Sequence, residues 1–181
     1  MLMDSGKSSL LVVDVQERLL PSINEGEAVL RNCIWLAGVA RRLEVPIVVS
    51  EQYPTGLGPT APALLEAAGA QVVEKVHFSC VADGCLVGTA VEARRQVVVV
   101  GTEAHVCVMQ TVLELRWQGK EVFVVADAVG SRKPADRDAA LARMRAHGVE
   151  IVTREMVAFE WLKRSANDLF RQVNRDFIRD N

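Results

Sequence analysis

Three residues that stand far apart in the chain have side chains suited to covalent hydrolysis: the carboxylate of Asp14, the ammonium of Lys75 and the thiol of Cys107. A cysteine attacks a carbonyl only as its thiolate, and a helix amino terminus and a nearby cation both favour that form. The stretch VVGTEAHVCVMQT, Val99 to Thr111, offers the first. Its β-branched run gives way at Gly101 to a helical pattern, Val108, Met109, Val112 and Leu113, which places Cys107 in the first turn, where unpaired backbone amides point outward. Those amides are also placed to hold an oxyanion. Lys75 would supply the cation, and Asp14 a base that takes the thiol proton and returns it to a leaving amine. Spacing alone leaves a second reading open, with Cys107 as packed core, Asp14 as a strand-end cap and Lys75 as a solvated terminus.

The elements that must position these residues are legible as short apolar blocks: LLVVDV (Leu10 to Val15), PIVVS (Pro46 to Ser50), AQVVEK (Ala70 to Lys75), QVVVVG (Gln96 to Gly101), EVFVVAD (Glu121 to Asp127) and VEIVT (Val149 to Thr153). Continuous apolar runs of this length are strands covered on both faces, as in a parallel sheet. Between them lie helical patterns. In the first, Asn24 with Glu27 resembles a capping arrangement, and Val29, Cys33, Leu36, Ala40 and Leu43 line one face. Further helices are predicted over Pro62 to Ala68, Cys85 to Arg95, Val106 to Gln118, Ala135 to His147, Met156 to Arg164 and Asn167 to Arg175. The alternation predicts a three-layer α/β fold, doubly wound, with the first strand beside the fourth. Ligands in such sheets bind beyond the carboxyl ends of the strands. There the sequence places Asp14 and Gln16, then Glu51 to Tyr53, Lys75, Gly101 to Cys107 and Asp127. A carboxylate, an ammonium and a thiol then share one crevice.

Composition narrows the function further. A chain of 181 residues, 50% hydrophobic and 24% charged, suits one domain over 1–181. Its formal charge of -2 gives no attraction for nucleic acid or anionic lipid. The start, MLMDSGKSSL, has no apolar signal core, and no apolar run approaches the roughly 20 residues of a membrane span. A soluble, cytoplasmic protein that acts on a small molecule is expected. Cys33, Cys80, Cys85 and Cys107 have no CxxC spacing and read as reduced thiols. Gly6-Lys7-Ser8 lacks the strand and loop of a phosphate-binding motif, and His77, Cys80, Cys85, His105 and Cys107 fit no zinc pattern, so no cofactor or metal is expected. Asp127 reads as a helix or loop cap, Tyr53 and Phe78 as pocket wall or core, and Trp117 and Trp161 as core or subunit interface.

Several motifs, in order, carry a resemblance. Asp14-Val15-Gln16, Lys75 followed by Phe78-Ser79, and Gly101 to Cys107-Val108 with Thr111 beyond are similar to motifs of the isochorismatase-like cysteine hydrolases. VVDVQERLLP, SEQYPTGLGPT and GTEAHVCVMQT look most like the isochorismatase domain-containing branch. The resemblance runs from about Leu10 to Asp127. It implies a six-stranded parallel sheet of Rossmann-like type, a triad of Asp14, Lys75 and Cys107, and a homodimer or larger homo-oligomer. It also implies an oxyanion hole of the Glu103 and Cys107 backbone amides, a cis peptide before Glu103, and a substrate pocket that includes Gln16, Tyr53, Phe78 and His105. At the places of Glu103 and His105, nicotinamidases more often carry Ala and Asp. Nicotinamidase-like members also bind metal through Asp-x-His after the second strand, where this chain has Glu51-Gln52-Tyr53. The function implied is a metal-independent cysteine hydrolase that cleaves a small carboxamide or related C–N bond through a thioester. The alternative is a catalytically weak or silent scaffold or binding protein on the same fold. An activated Cys107 is expected to alkylate faster than Cys33, and at lower pH.

Overall fold

The computed structural model describes residues 1–179. In chain order, β1 (Ser8–Val13) leads through a 3-10 turn (Leu20–Ser22) to α1 (Gly26–Arg42), and β2 (Ile47–Gln52) is followed by α2 (Pro54–Leu57) and α3 (Pro62–Ala68). Next come β3 (Gln71–Lys75), α4 (Cys80–Asp83), α5 (Ala90–Ala93), β4 (Gln96–Thr102), a π-helical turn (Ala104–Val108) and α6 (Met109–Trp117). The chain continues through β5 (Glu121–Gly130), α7 (Pro134–Ala146), β6 (Glu150–Val152), α8 (Arg154–Leu162), α9 (Asp168–Val173) and a second π-helical turn (Asn174–Ile178). The strands form one six-stranded sheet in the order β3-β2-β1-β4-β5-β6, paired in parallel throughout.

The β-branched blocks form strands because both faces of the sheet are covered. Leu10, Val12, Val49, Val98, Val100, Phe123 and Val125 point to the layer that contains α1 and α8. Their neighbours Leu11, Val13, Val48, Val97, Val99, Val122 and Val124 point to the layer of α6 and α7. Each fully buried valine or leucine adds about 1.5–3 kcal/mol relative to exposure, so the central strands anchor both layers. The edge strand β3 is exposed along most of its length, and burial returns at Lys75.

Two local expectations change. Helix α1 begins at Gly26 behind a left-handed Glu25 (φ 53°) with no side-chain cap, so the expected Asn24 cap is not formed; the Asn24 backbone N–H donates to Ser131 O at 3.0 Å. The predicted helix over Cys85 to Arg95 is instead a turn followed by the single-turn α5, since Gly84 and Gly88 both adopt positive φ (80° and 75°). Trp161 is core at 2% exposure, whereas Trp117 is 90% exposed. Asp127 lies within β5, and its Oδ1 accepts the Arg154 N–H at 2.9 Å, capping the first turn of α8.

Gly101 connects the sheet to the chemistry. It has φ 118°, and a Cβ there would lie 2.0 Å from Val13 O, while the β4–β5 register slips between Val99 and Gly101. Both the dihedral angle and the approach to β1 demand glycine. Gly101→Ala should cost about 2–4 kcal/mol of unfolding free energy and displace the segment that carries Cys107. Urea denaturation with thiol alkylation measures both, and an alanine variant with unchanged stability would refute the packing argument.

Candidate active site

Asp14, one residue past β1, is fully buried and left-handed (φ 49°), a conformation that Asp tolerates better than most residues. Four bonds fix it. Its N–H donates to Ser50 O (3.1 Å), and its carbonyl accepts from Thr102 Oγ1 (2.7 Å). Oδ1 accepts from Ser50 Oγ (2.7 Å), and Oδ2 from Lys75 Nζ (2.7 Å). Both side chains of this ion pair are 0% exposed. Removing two charges from water costs several kcal/mol per ion, so the pair needs close geometry and satisfied donors. Lys75 has them: besides Asp14, its ammonium donates to Gln52 Oε1 (2.6 Å) and to His77 O (3.3 Å).

Strand register explains the meeting. Gln52 is the β-ladder partner of Lys75, and Val13, just before Asp14, is the partner of both Ser50 and Gly101. Cys107 lies in the π-helical turn at the head of α6, 6% exposed, with its Sγ 4.0 Å from Gln52 Oε1. The Thr102–Glu103 peptide before that turn is cis. The structure therefore brings Asp14, Lys75 and Cys107 to one place.

Burial pushes the Asp14 carboxyl up, outweighing the downward pull of Lys75 and Ser50. For Lys75 burial acts in the opposite sense, but the Asp14 carboxylate and the Cys107 sulfur overcome it and hold the ammonium charged. The Cys107 thiol is pushed up by burial first and by the Asp14 charge second, against Lys75. At rest the site thus holds a neutral thiol beside an ion pair, and the expected low-pKa thiolate is replaced by a thiol that needs a base. Cys33 is likewise raised by burial. What separates the two cysteines is that Cys107 has a base at hand.

The other predicted site residues fall in different places. Gln16 is buried and committed to the backbone: Nε2 donates to Gly58 O (2.7 Å) and Gln52 O (3.1 Å), and Oε1 accepts from Gln52 N (2.9 Å). Glu103 turns its carboxylate to the N–H and Nε of Arg132, at 3.1 and 3.0 Å. His105 Nδ1 meets Ser131 Oγ at 3.0 Å. Tyr53 and Phe78 are more than half exposed. Gln52 and Thr102 lie in the strand-end segments that the sequence sends to the crevice, but their roles come from pairing, Gln52 through its ladder position beside Lys75; Ser50 carries no mark in the sequence. Glu51, in the same segment, is spent on Thr60, whose N–H and Oγ1 both donate to it at 2.7 Å. Among the described residues, no group of three or more His, Cys, Asp or Glu is arranged to hold a metal ion.

This architecture, a parallel α/β sheet with reactive side chains at the carboxyl ends of its central strands, defines an open α/β protein. Residues 8–156 match the Isochorismatase domain family, and the chain belongs to it. It is 35% identical over 171 residues to mouse isochorismatase domain-containing protein 2A, which covers 93% of this chain and 81% of the mouse protein. The fold superposes on the MAR1 ribonuclease of Caenorhabditis elegans with a TM-score of 0.91 and 34% identity, over 97% of this chain and 91% of that one. It matches the YcaC gene product of Escherichia coli, described as an octameric hydrolase of unknown specificity, with a TM-score of 0.91 and 26% identity, over 99% of this chain and 92% of that one.

Truncating one partner of a buried ion pair strands the other. Lys75→Met should therefore lower unfolding free energy by about 3–5 kcal/mol, and Gln52→Leu, which orphans one ammonium donor, by about 1–3 kcal/mol. In Lys75→Met the pH at which Cys107 alkylates should also rise. Urea melts and iodoacetamide rates against pH read these effects; a Lys75→Met protein as stable as wild type would contradict the buried-pair analysis.

Proposed function

We propose that this isochorismatase-family protein is a metal-independent cysteine hydrolase that cleaves a small carboxamide, or a related C–N bond, through a Cys107 thioester. The observation that carries the reading is the convergence of a neutral, nearly buried thiol with the buried Asp14–Lys75 pair. Asp14 takes the Cys107 proton, and its raised pKa fits a base that must also act as an acid. The sulfur attacks the carbonyl carbon, and the backbone amides of Glu103 and Cys107 hold the oxyanion. Asp14 returns the proton to the nitrogen, and ammonia or an amine leaves. Water, deprotonated in turn by Asp14, attacks the thioester, and the thiol recovers its proton as the acid departs. Lys75 keeps its charge throughout and stabilises the thiolate.

The C. elegans neighbour's name raises RNA as a substrate. A phosphodiester needs free cationic donors, whereas the Lys75 donors are committed to Asp14, Gln52 and the His77 carbonyl, and the chain carries a net charge of -2. We favour the carboxamide. We further propose a homo-oligomer, as the E. coli neighbour is an octamer and Val76, Phe78, Val87 and Trp117 stand exposed. Among the described residues, no helix is long and apolar enough to cross a membrane.

A carboxamide panel scored by ammonia release tests the reading. Cys107→Ala should abolish turnover while leaving binding, Asp14→Asn should cost about two to four orders of magnitude, and the double variant should be little worse than Cys107→Ala. Turnover should survive exhaustive chelation. Because burial raises the Asp14 carboxyl, the acidic limb of kcat/KM should lie above the ordinary carboxylate range, with activity lost as pH falls through that raised value. Substantial turnover by Cys107→Ala excludes the thioester route; binding without turnover of any panel member by the wild type favours the silent scaffold.

A further inference from the structure

Near Lys75 stands a pair of sulfurs that the hydrolytic mechanism does not use. Cys80 opens α4 and is fully buried; Cys85 follows that single turn and is half-buried. Gly84, left-handed at φ 80° and ψ 4°, folds the chain back over the turn, and its N–H closes on Val81 O at 3.0 Å. The reversal brings Cys85 Sγ to 3.5 Å from Cys80 O and sets the two thiols against each other. A Cβ at residue 84 would meet nothing within 4 Å, so glycine serves the reversal and not the packing. The reversal leaves the Cys85 thiol in contact with the Cys80 backbone carbonyl, and a disulfide between the two residues requires their Cβ atoms to lie about 3.8 Å apart.

The pair is also wired to the active site. The Cys80 side chain lies against Ser50, the residue that donates to Asp14, and it feels the charges of Asp14 and Lys75. The Cys80 N–H donates to Thr111 Oγ1 at 3.0 Å, and Ser79 Oγ to Glu114 at 2.5 Å, so both residues tie α4 to the helix that begins just after Cys107.

We propose that Cys80 and Cys85 form a reversible, peroxide-responsive disulfide that alters the Cys107 environment. Hydrogen peroxide meets the more accessible sulfur: Cys85, whose thiol is held protonated by its contact with Cys80 and by burial, passes its proton to the Cys80 sulfur as it breaks the O–O bond, giving a sulfenic acid and a hydroxide that takes the proton back from Cys80 and becomes water. The Cys80 thiolate then attacks that sulfur, the S–S bond forms, and the oxygen leaves as water once protonated. The two thiols lose two hydrogens and peroxide is reduced to two waters. Cys80 suits the attacking role because Cys85, its largest influence, and Lys75 draw its pKa down, outweighing burial and the Asp14 charge. The disulfide changes Cys80 from a thiol next to Ser50 into a bridged sulfur drawn toward Cys85, which disturbs the support of Asp14.

The test has two arms, both using the full chain. In the Cys107→Ser background, protein treated with hydrogen peroxide is denatured in N-ethylmaleimide and weighed. Cys33, Cys80 and Cys85 are the remaining thiols; labelling should fall to Cys33 alone, with a peptide cross-linking residues 80 and 85, and dithiothreitol should restore all sites. Adding Cys85→Ser should abolish the cross-link. Continued labelling of Cys80 and Cys85, or their conversion to sulfinic acids without a cross-link, overturns the disulfide. In the second arm, protein with Cys107 intact is oxidised, freed of peroxide, and timed for iodoacetamide reaction at Cys107 beside Cys85→Ser treated identically. A rate change of about threefold or more, reversed by dithiothreitol and missing from Cys85→Ser, supports the coupling; identical behaviour of the two proteins overturns it. Only the consequence for turnover rests on the hydrolase reading, and neither arm uses a substrate, so failure here is distinguishable from failure of the proposed function.

Discussion

The buried ion pair between Asp14 and Lys75 is the interaction on which the rest of the site depends. Two charges at 0% side-chain exposure persist in a protein interior only when each finds further polar partners. The fold supplies them from adjacent strands: Ser50 and Gln52 from β2 and the His77 carbonyl just beyond β3. Every buried side-chain nitrogen and oxygen among the described residues has a partner. This saturation limits how far the cluster can move, because shifting one member strands another.

The thiol is held by a different constraint. Gly101 lets β4 pass against the end of β1 closer than any side chain would allow, and Thr102 then bonds the Asp14 carbonyl. The π-helical turn that follows places Cys107 beside the pair and nearly out of solvent. Burial has two opposing effects there. It keeps the sulfur protonated at rest, and it raises the carboxyl that would accept the proton in the proposed reaction, so the two groups are shifted in the same direction and that transfer would be less uphill than the thiol alone suggests.

Relatives with the same fold carry names as different as ribonuclease and hydrolase of unknown specificity. A fold supplies the frame for a site and does not choose its substrate. In this chain three residues expected near a substrate pocket are turned aside: Glu103 toward Arg132, His105 toward Ser131, and Gln16 into the backbone of the β2 and α2 segments. Tyr53 and Phe78 stand at the surface.

The sequence by itself determined the strand blocks, because valine-rich runs have few ways to be buried other than in a sheet covered on both sides. It also determined the reactive residue types at the ends of those strands, since an open parallel sheet sends successive strand ends to one edge. Tertiary structure decided what periodicity does not encode. The turn at Gly88 interrupts a predicted helix because backbone φ there is positive, and α1 begins behind a left-handed Glu25 instead of an Asn24 cap. The role of Gln52 arises from its pairing with Lys75 across two strands that lie 23 residues apart in the chain. The protonation state of Cys107 was beyond the sequence for the same reason: a pKa is set by the depth of burial and by which charges surround the group, and both exist only once distant strands have come together.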